Sequence, residues 1–297
     1  MKKIVLVLIG LVSSAMALDL DFSTATANGE NEKKYISVGE HKFQYIIATA
    51  SKTGSYFPAG KKIARQLEEA VAVSTDGSLQ NFDLLTGDVR GLKTNVALIQ
   101  ADILAYQCSK SPSLCTNLRV IPTNKNEFVT LVCREDIDLQ GKTPVTVDVG
   151  PLNSGGSGSL DNIMRLEKDY NFKKVISSKI DRTTIMNINN KKLDCYIKTT
   201  SNPTGGITER AIQKSLVIKD LDDSSLKKTI KIGGKEVKLY TFDTIKYKRP
   251  GKFFNSSAKT VKTNALLVVN TERLSHSQLD KLLTVIDRLT VNGKGLF

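Results

Sequence analysis

The chain switches repeatedly between short apolar runs and longer stretches with helical spacing. Residues 42–48 (KFQYIIA) read as a strand, and residues 55–70 as a helix carrying Ile63, Leu67 and Ala70 on one face. Residues 70–74 (AVAVS) read as a second strand, followed by a short helix over 79–85 that Gly87 stops. A strand over 96–100 (VALIQ), another short helix and a strand over 118–121 complete this set. Strands alternating with helices at this spacing predict an α/β unit with a largely parallel sheet.

The pattern pauses near 136–143 (DIDLQGKT) and then restarts. A strand over 144–149, a glycine-rich loop, a helix over 159–168 and a buried strand over 194–197 predict a second α/β unit. A helix follows Gly206 and runs to about residue 214. The stretch 226–259 is rich in lysine, with Gly233-Gly234 suited to a hairpin turn. Residues 265–270 read as a return strand. Residues 277–289 read as an amphipathic helix with Leu279, Leu282, Leu283, Ile286 and Leu289 on its apolar face.

The N-terminus has its own pattern. Met1-Lys2-Lys3 precedes an apolar run over 4–12 and the small residues 13–17, with Ala15-x-Ala17 placed for cleavage. That is the layout of a secretory signal peptide over 1–17, cut after Ala17. The apolar run is too short to span a bilayer. No cysteine lies near the cut, so the mature protein is expected to be free in the periplasm. Residues 18–39 are polar, poorly periodic and expected to form a flexible leader.

Charge narrows the function classes. Formal net charge is +13, but the lysines are scattered and only 6% of residues are aromatic. Neither a basic stripe nor a stacking platform for nucleic acid emerges, and a basic surface attractive to small anions fits better. The run Lys246-Tyr-Lys-Arg249 reads as a solvated loop. Cys108, Cys115, Cys133 and Cys195 have no C-x-x-C spacing, and the two histidines, His41 and His276, are distant from them in sequence, so no metal site is expected. In an oxidising compartment Cys108 and Cys115 are candidates to close a short loop, whereas Cys133 and Cys195 either pair or lie as buried thiols.

Catalytic motifs fail one by one. The glycine run over 150–158 lacks the lysine of a phosphate loop, and Ser159 stands where a hydrolase elbow requires glycine after Ser157. His41 and His276 read as surface residues. Binding has better support. Three runs of small and hydroxylated residues each lead into a helix: residues 48–60 (ATASKTGSYFPAG), 74–78 (STDGS) and 150–158 (GPLNSGGSG). Helix starts expose unpaired N–H groups and a partial positive charge, which together favour anions.

These runs also carry a resemblance. Tyr56-Phe-Pro-Ala-Gly60, the helix start from Ser74 to Asn81, and the strand end from Ala97 to Asp102 follow one another in the order of the TAXI family. Those proteins are the extracytoplasmic solute receptors of one class of TRAP transporter. The resemblance covers about residues 43–215 well, and Leu139-Gln-Gly-Lys142 resembles the entry into that family's second lobe. It implies a two-lobed α/β, type II periplasmic-binding fold with a ligand cleft between lobes joined by crossing strands. Lobe 1 is then expected over 40–138 plus 265–297, and lobe 2 over 139–264. It further implies a monomeric receptor, without cofactor, that delivers a dicarboxylate or glutamate-like amino acid to TRAP-type permease subunits.

Carried onto this sequence, the resemblance implies ligand contacts from Thr49, Thr53, Gly54, Ser55 and Tyr56, from Ser78, Asn81 and Gln100, from Asn153, Ser154, Ser157 and Gly158, and from Asn202 and Pro203. The chain departs from the family at the first turn, where Ala50-Ser51-Lys52 stands in place of the usual Gly-Thr-Gly-Gly. Ser51 and Lys52 join the candidates on that account, Lys52 either bonding an anion or facing solvent. An ABC-importer receptor, a periplasmic sensor, and an exported enzyme with Ser157 or Lys52 as nucleophile remain the competing readings.

Overall fold

A computed structural model describes residues 34–38, 40–232, 235–291 and 296–297. The expected signal peptide, most of the expected leader, and Gly233-Gly234 lie outside the described residues. Order begins earlier than the polar composition suggests. Strand β1 (Ile36–Val38) pairs antiparallel with β2 (His41–Phe43), and the backbone of Lys34 is held by the side chain of Gln278.

The first α/β unit comprises β3 (Tyr45–Ala48), α1 (Tyr56–Ala64), β4 (Ala70–Val73), α2 (Ser78–Thr86), β5 (Val96–Gln100) and α3 (Ala101–Lys110). Helix α1 ends well before the expected residue 70. Gln66 and Leu67 close tighter turns, and Glu69 takes a left-handed φ of 48°, so the chain reverses into β4. Strand β6 (Leu118–Cys133) follows.

The second unit comprises β7 (Val145–Asp148), α4 (Gly155–Leu166), β8 (Phe172–Val175), α5 (Arg182–Asn189), β9 (Cys195–Thr200), α6 (Ile207–Gln213) and β10 (Val217–Ile218). Helix α4 starts four residues before the expected position because Ser154 caps it, accepting a bond from the Ser157 amide. The hairpin β11 (Thr229–Ile232) and β12 (Lys235–Lys238), then β13 (Thr241–Tyr247), β14 (Ser256–Asn270) and α7 (His276–Val291), complete the chain.

Ten strands form one sheet. Its path runs β4-β3-β5-β14-β6-β9-β7-β8, with β10 beside β6 and β13 beside β14. The strands β3, β4 and β5 are mutually parallel, as are β7, β8 and β9. Between these two sets lie the long strands β6 and β14, antiparallel to each other, and each belongs to both halves. The first half of β14 pairs with β13 and its second half with β5, while the second half of β6 pairs with β9. Two α/β lobes joined by a pair of crossing strands define the type II periplasmic-binding fold.

Period-two alternation distributes the core. Val96 and Leu98 of β5 face α1 and α7, together with Leu279, Leu282 and Ile286, whereas Ala97 and Ile99 face α2 and α3. In the second lobe Cys195 and Ile197 face α4, and Tyr196 faces α5 and α6. Two disulfides reinforce the frame. Cys108–Cys115 closes the end of α3, and Cys133–Cys195 joins the paired strands β6 and β9.

Candidate functional site

The parallel strands of both lobes end toward the same region, a cleft of about 460 Å³. Ligands of open α/β sheets bind beyond strand carboxyl ends, because the loops there lead into helix N-termini. Three such starts line the cleft: Ser55 and Tyr56 of α1, Gly77 and Ser78 of α2, and Ser154, Gly155 and Gly156 of α4. The leading amides of these starts, those of Tyr56, Ser78, Gly155 and Gly156, have no acceptor within the helix, so each start contributes donors and positive potential.

The glycines of α4 are there for contact. A Cβ on Gly155 would lie 1.9 Å from Gln100 Oε1, one on Gly158 2.2 Å from Ile103, and one on Gly156 3.0 Å from the Ile197 carbonyl. Gly77 takes φ +137°, a conformation L side chains rarely adopt, and a Cβ there would lie 3.0 Å from the Gly155 amide nitrogen. Glycine at 77 and 155 therefore lets the two lobes meet at the back of the cleft.

Of the residues singled out in the sequence, Ser51, Thr53, Gly54, Ser55, Tyr56, Ser78, Gln100 and Ser154 line the cleft. The others do not. Thr49 donates to the Val73 carbonyl, and the Asn81 amide serves the carbonyls of Thr49 and Leu98, so both tie strands together from within the core. Lys52 is exposed outside the lining. Asn153 offers its carbonyl to the Gln80 amide. Ser157 is fully buried outside the lining and accepts from Lys174 Nζ at 3.0 Å, itself paired with Asp161. Gly158 is filled in by Ile103 and Leu79. Asn202 and Pro203 belong to the turn after β9, outside the lining. Both histidines are exposed.

Several lining residues escaped the sequence reading. Glu127 on β6 is buried at the cleft wall, its Oε2 accepting from Tyr56 Oη at 2.6 Å. Burial above all, with the Asp102 carboxyl nearby, pushes Glu127 up to about 7 against the opposing hydrogen bond from Tyr56. Burial and the adjacent Glu127 raise the Tyr56 phenol well above its ordinary value, which keeps it a donor. Gln100 presents a buried Oε1 with no hydrogen-bond partner among the described residues. Lys198, Thr199 and Thr200 of β9, with Lys179 from the loop before α5, supply the facing wall. Burial lowers Lys198 from its ordinary value. The one hint of Lys198 in the sequence is a lysine directly after the apolar run Cys195–Ile197; Glu127 has no comparable signal. Among the described residues no cluster of three or more His, Cys, Asp or Glu side chains is arranged to hold a metal ion.

A two-lobed frame with an interlobe cleft, bounded by helix starts, defines a solute-binding protein fold. Residues 47–279 match the NMT1-like family, and the chain belongs to that family. Among solved structures, similar chain courses occur in the P235GK mutant of ArgBP from T. maritima, at 15% identity over 84% of this chain and 90% of that one, TM-score 0.45. A chain from the study of glutathione import via GshT and the cystine ABC importer TcyBC of Streptococcus mutans is similar at 12% identity over 84% and 90%, TM-score 0.46. The bromide-bound regulatory domain of HypT from Salmonella typhimurium is similar at 10% identity over 82% and 94%, TM-score 0.44. No curated protein matches the chain.

Proposed function

We propose that this protein is an extracytoplasmic receptor that captures a small anionic solute between its lobes and delivers it to a membrane permease of the TRAP type. The observation that carries this reading is the convergence of three helix N-termini on one cleft whose far wall holds Lys198. Backbone donors and a desolvated ammonium attract carboxylate or a comparable oxyanion without catalytic side chains. A Glu127 carboxyl that holds its proton up to about 7 leaves Asp76 as the one other acid lining the cleft, against Lys179 and Lys198. The N-terminal signal-peptide pattern supports export, and the motifs shared with the TAXI family support a TRAP partner and a dicarboxylate or glutamate-like cargo.

Closure would act through the crossing strands. Their register shifts between Ala265 and Leu266, where β6 carries Thr123 and the left-handed Asn124, and a bulge of this kind concentrates bending at one level. A solute bridging both walls favours the closed state only by contacts it makes there.

The test is a thermal-shift and calorimetric panel of dicarboxylates, acidic amino acids, keto acids and phosphate esters on protein refolded to remove carried ligand. A cognate solute at about a hundred times its Kd stabilises by about 2.7 kcal/mol. Lys198→Met is expected to weaken that ligand by about tenfold or more, through loss of a charge-assisted bond. A panel without a stabilising anion, or a Lys198→Met protein that binds with full affinity, refutes the reading.

A further inference from the structure

The hairpin joining β13 to β14 ends in the most exposed apolar side chains described. Phe253 is 101% and Phe254 87% exposed, adjacent to one another, whereas the other exposed large apolar residues stand singly. Isolated exposure needs no explanation, but two contiguous phenyl rings held in water do.

The tip is built. Arg249-Pro-Gly-Lys252 has proline second and glycine third, Gly251 has φ +70°, and the Lys252 amide donates to the Arg249 carbonyl at 3.3 Å. That is a type II turn, which these residues specify. Arg249 also forms a two-point pair with Glu135, at 2.9 and 2.7 Å, anchoring the loop to the segment after β6. This pair neutralises Glu135. From 244 to 271 the chain contains no aspartate or glutamate, and Lys246, Lys248 and Lys252 around the rings are all exposed.

We infer that this tip is an interfacial anchor for an anionic lipid surface. Its rings enter the headgroup boundary while Lys246, Lys248 and Lys252 meet the lipid phosphates. The chemistry favours lipid over a protein partner: among the described residues 244–256 the two adjacent phenyl rings are the sole exposed large apolar side chains, and the exposed charges beside them are lysines. Aromatic rings flanked by lysines have the two components of interfacial binding, apolar transfer and attraction to anionic headgroups. Such an anchor raises the concentration of a diffusing receptor at the membrane, where a permease sits.

The test is vesicle flotation with phosphatidylglycerol–phosphatidylcholine mixtures against phosphatidylcholine alone, at low and high salt. The variants share the wild-type N-terminus, so any binding by that segment cancels. Wild type should float with the anionic vesicles, and less so at high salt. Phe253→Ser and Phe254→Ser should each reduce partitioning by about tenfold or more, the yield of burying a phenyl ring. Each of Lys246→Gln, Lys248→Gln and Lys252→Gln should reduce it by about fivefold. The chain has no tryptophan, so Phe254→Trp provides a single reporter whose emission should shift to the blue with anionic vesicles only. Because all five side chains are exposed, melting temperatures should not change, which separates loss of binding from loss of fold. Unchanged partitioning of the Phe253→Ser/Phe254→Ser protein, an unshifted indole emission from the Phe254→Trp protein, or flotation only with vesicles containing a permease overturns the inference.

Discussion

Replacing Glu127 with glutamine removes an ionisation that the folded protein resists. The Glu127 carboxyl titrates near 7 in the fold against 4.5 ordinarily, chiefly because burial disfavours its charged form. Below about pH 4.5 the folded and unfolded chains both hold the proton, and no stability difference arises. Between about 4.5 and 7 the unfolded chain releases it while the folded chain keeps it, so stability falls as pH rises through that window. At about 1.4 kcal/mol per pH unit the accumulated cost above pH 7 is about 3 kcal/mol. Glutamine cannot ionise, yet its carbonyl can accept the Tyr56 hydroxyl as the carboxylate does. The stability of Glu127→Gln minus that of wild type should therefore grow by about 2.5 kcal/mol from about pH 5 to about pH 8. Urea unfolding of both proteins across that range, at constant ionic strength, measures this difference. Asp102, also raised by burial, titrates in both proteins and cancels to first order. Parallel stability curves would refute the buried-acid argument. A difference of opposite slope would mean that Glu127 is ionised and paired in the fold.

Removing the Cys133–Cys195 bridge, which closes a sequence separation of 62, should cost about 4 kcal/mol by loop entropy. The Cys108–Cys115 bridge, at a separation of 7, should be worth only about 2.5 kcal/mol. Denaturant unfolding of the two paired Cys→Ser proteins checks the order. Gly77→Ala should cost about 1–3 kcal/mol from its backbone conformation alone. Its Cβ would also press on the start of α4, so small-angle scattering should show a larger radius of gyration. An unchanged radius would mean that the lobes meet elsewhere.

Local pattern determined much of this protein. The alternation of apolar residues in 96–100 sets two faces for β5 whatever surrounds it, and small residues precede α1, α2 and α4, with Ser154 capping α4 and Gly77 supplying the backbone freedom before α2. Hence the α/β character, the order of the units and Ser55, Tyr56, Ser78, Gln100 and Ser154 in the cleft were legible from residues near one another in the chain. Long-range geometry decided the rest. Residues 122–127 are polar and lie beyond the strand expected over 118–121, yet they form the middle of β6 because β14, more than a hundred residues away in sequence, supplies its hydrogen-bond partners. That pairing is what buries Glu127 beside Tyr56. Ser157 and Asn81 carry the right chemistry for a ligand, but the helices that hold them, α4 and α2, turn them toward Lys174 and toward backbone carbonyls. Residue type specifies what a group can bind; its direction and the dielectric around it are set by partners that only the assembled sheet brings into contact.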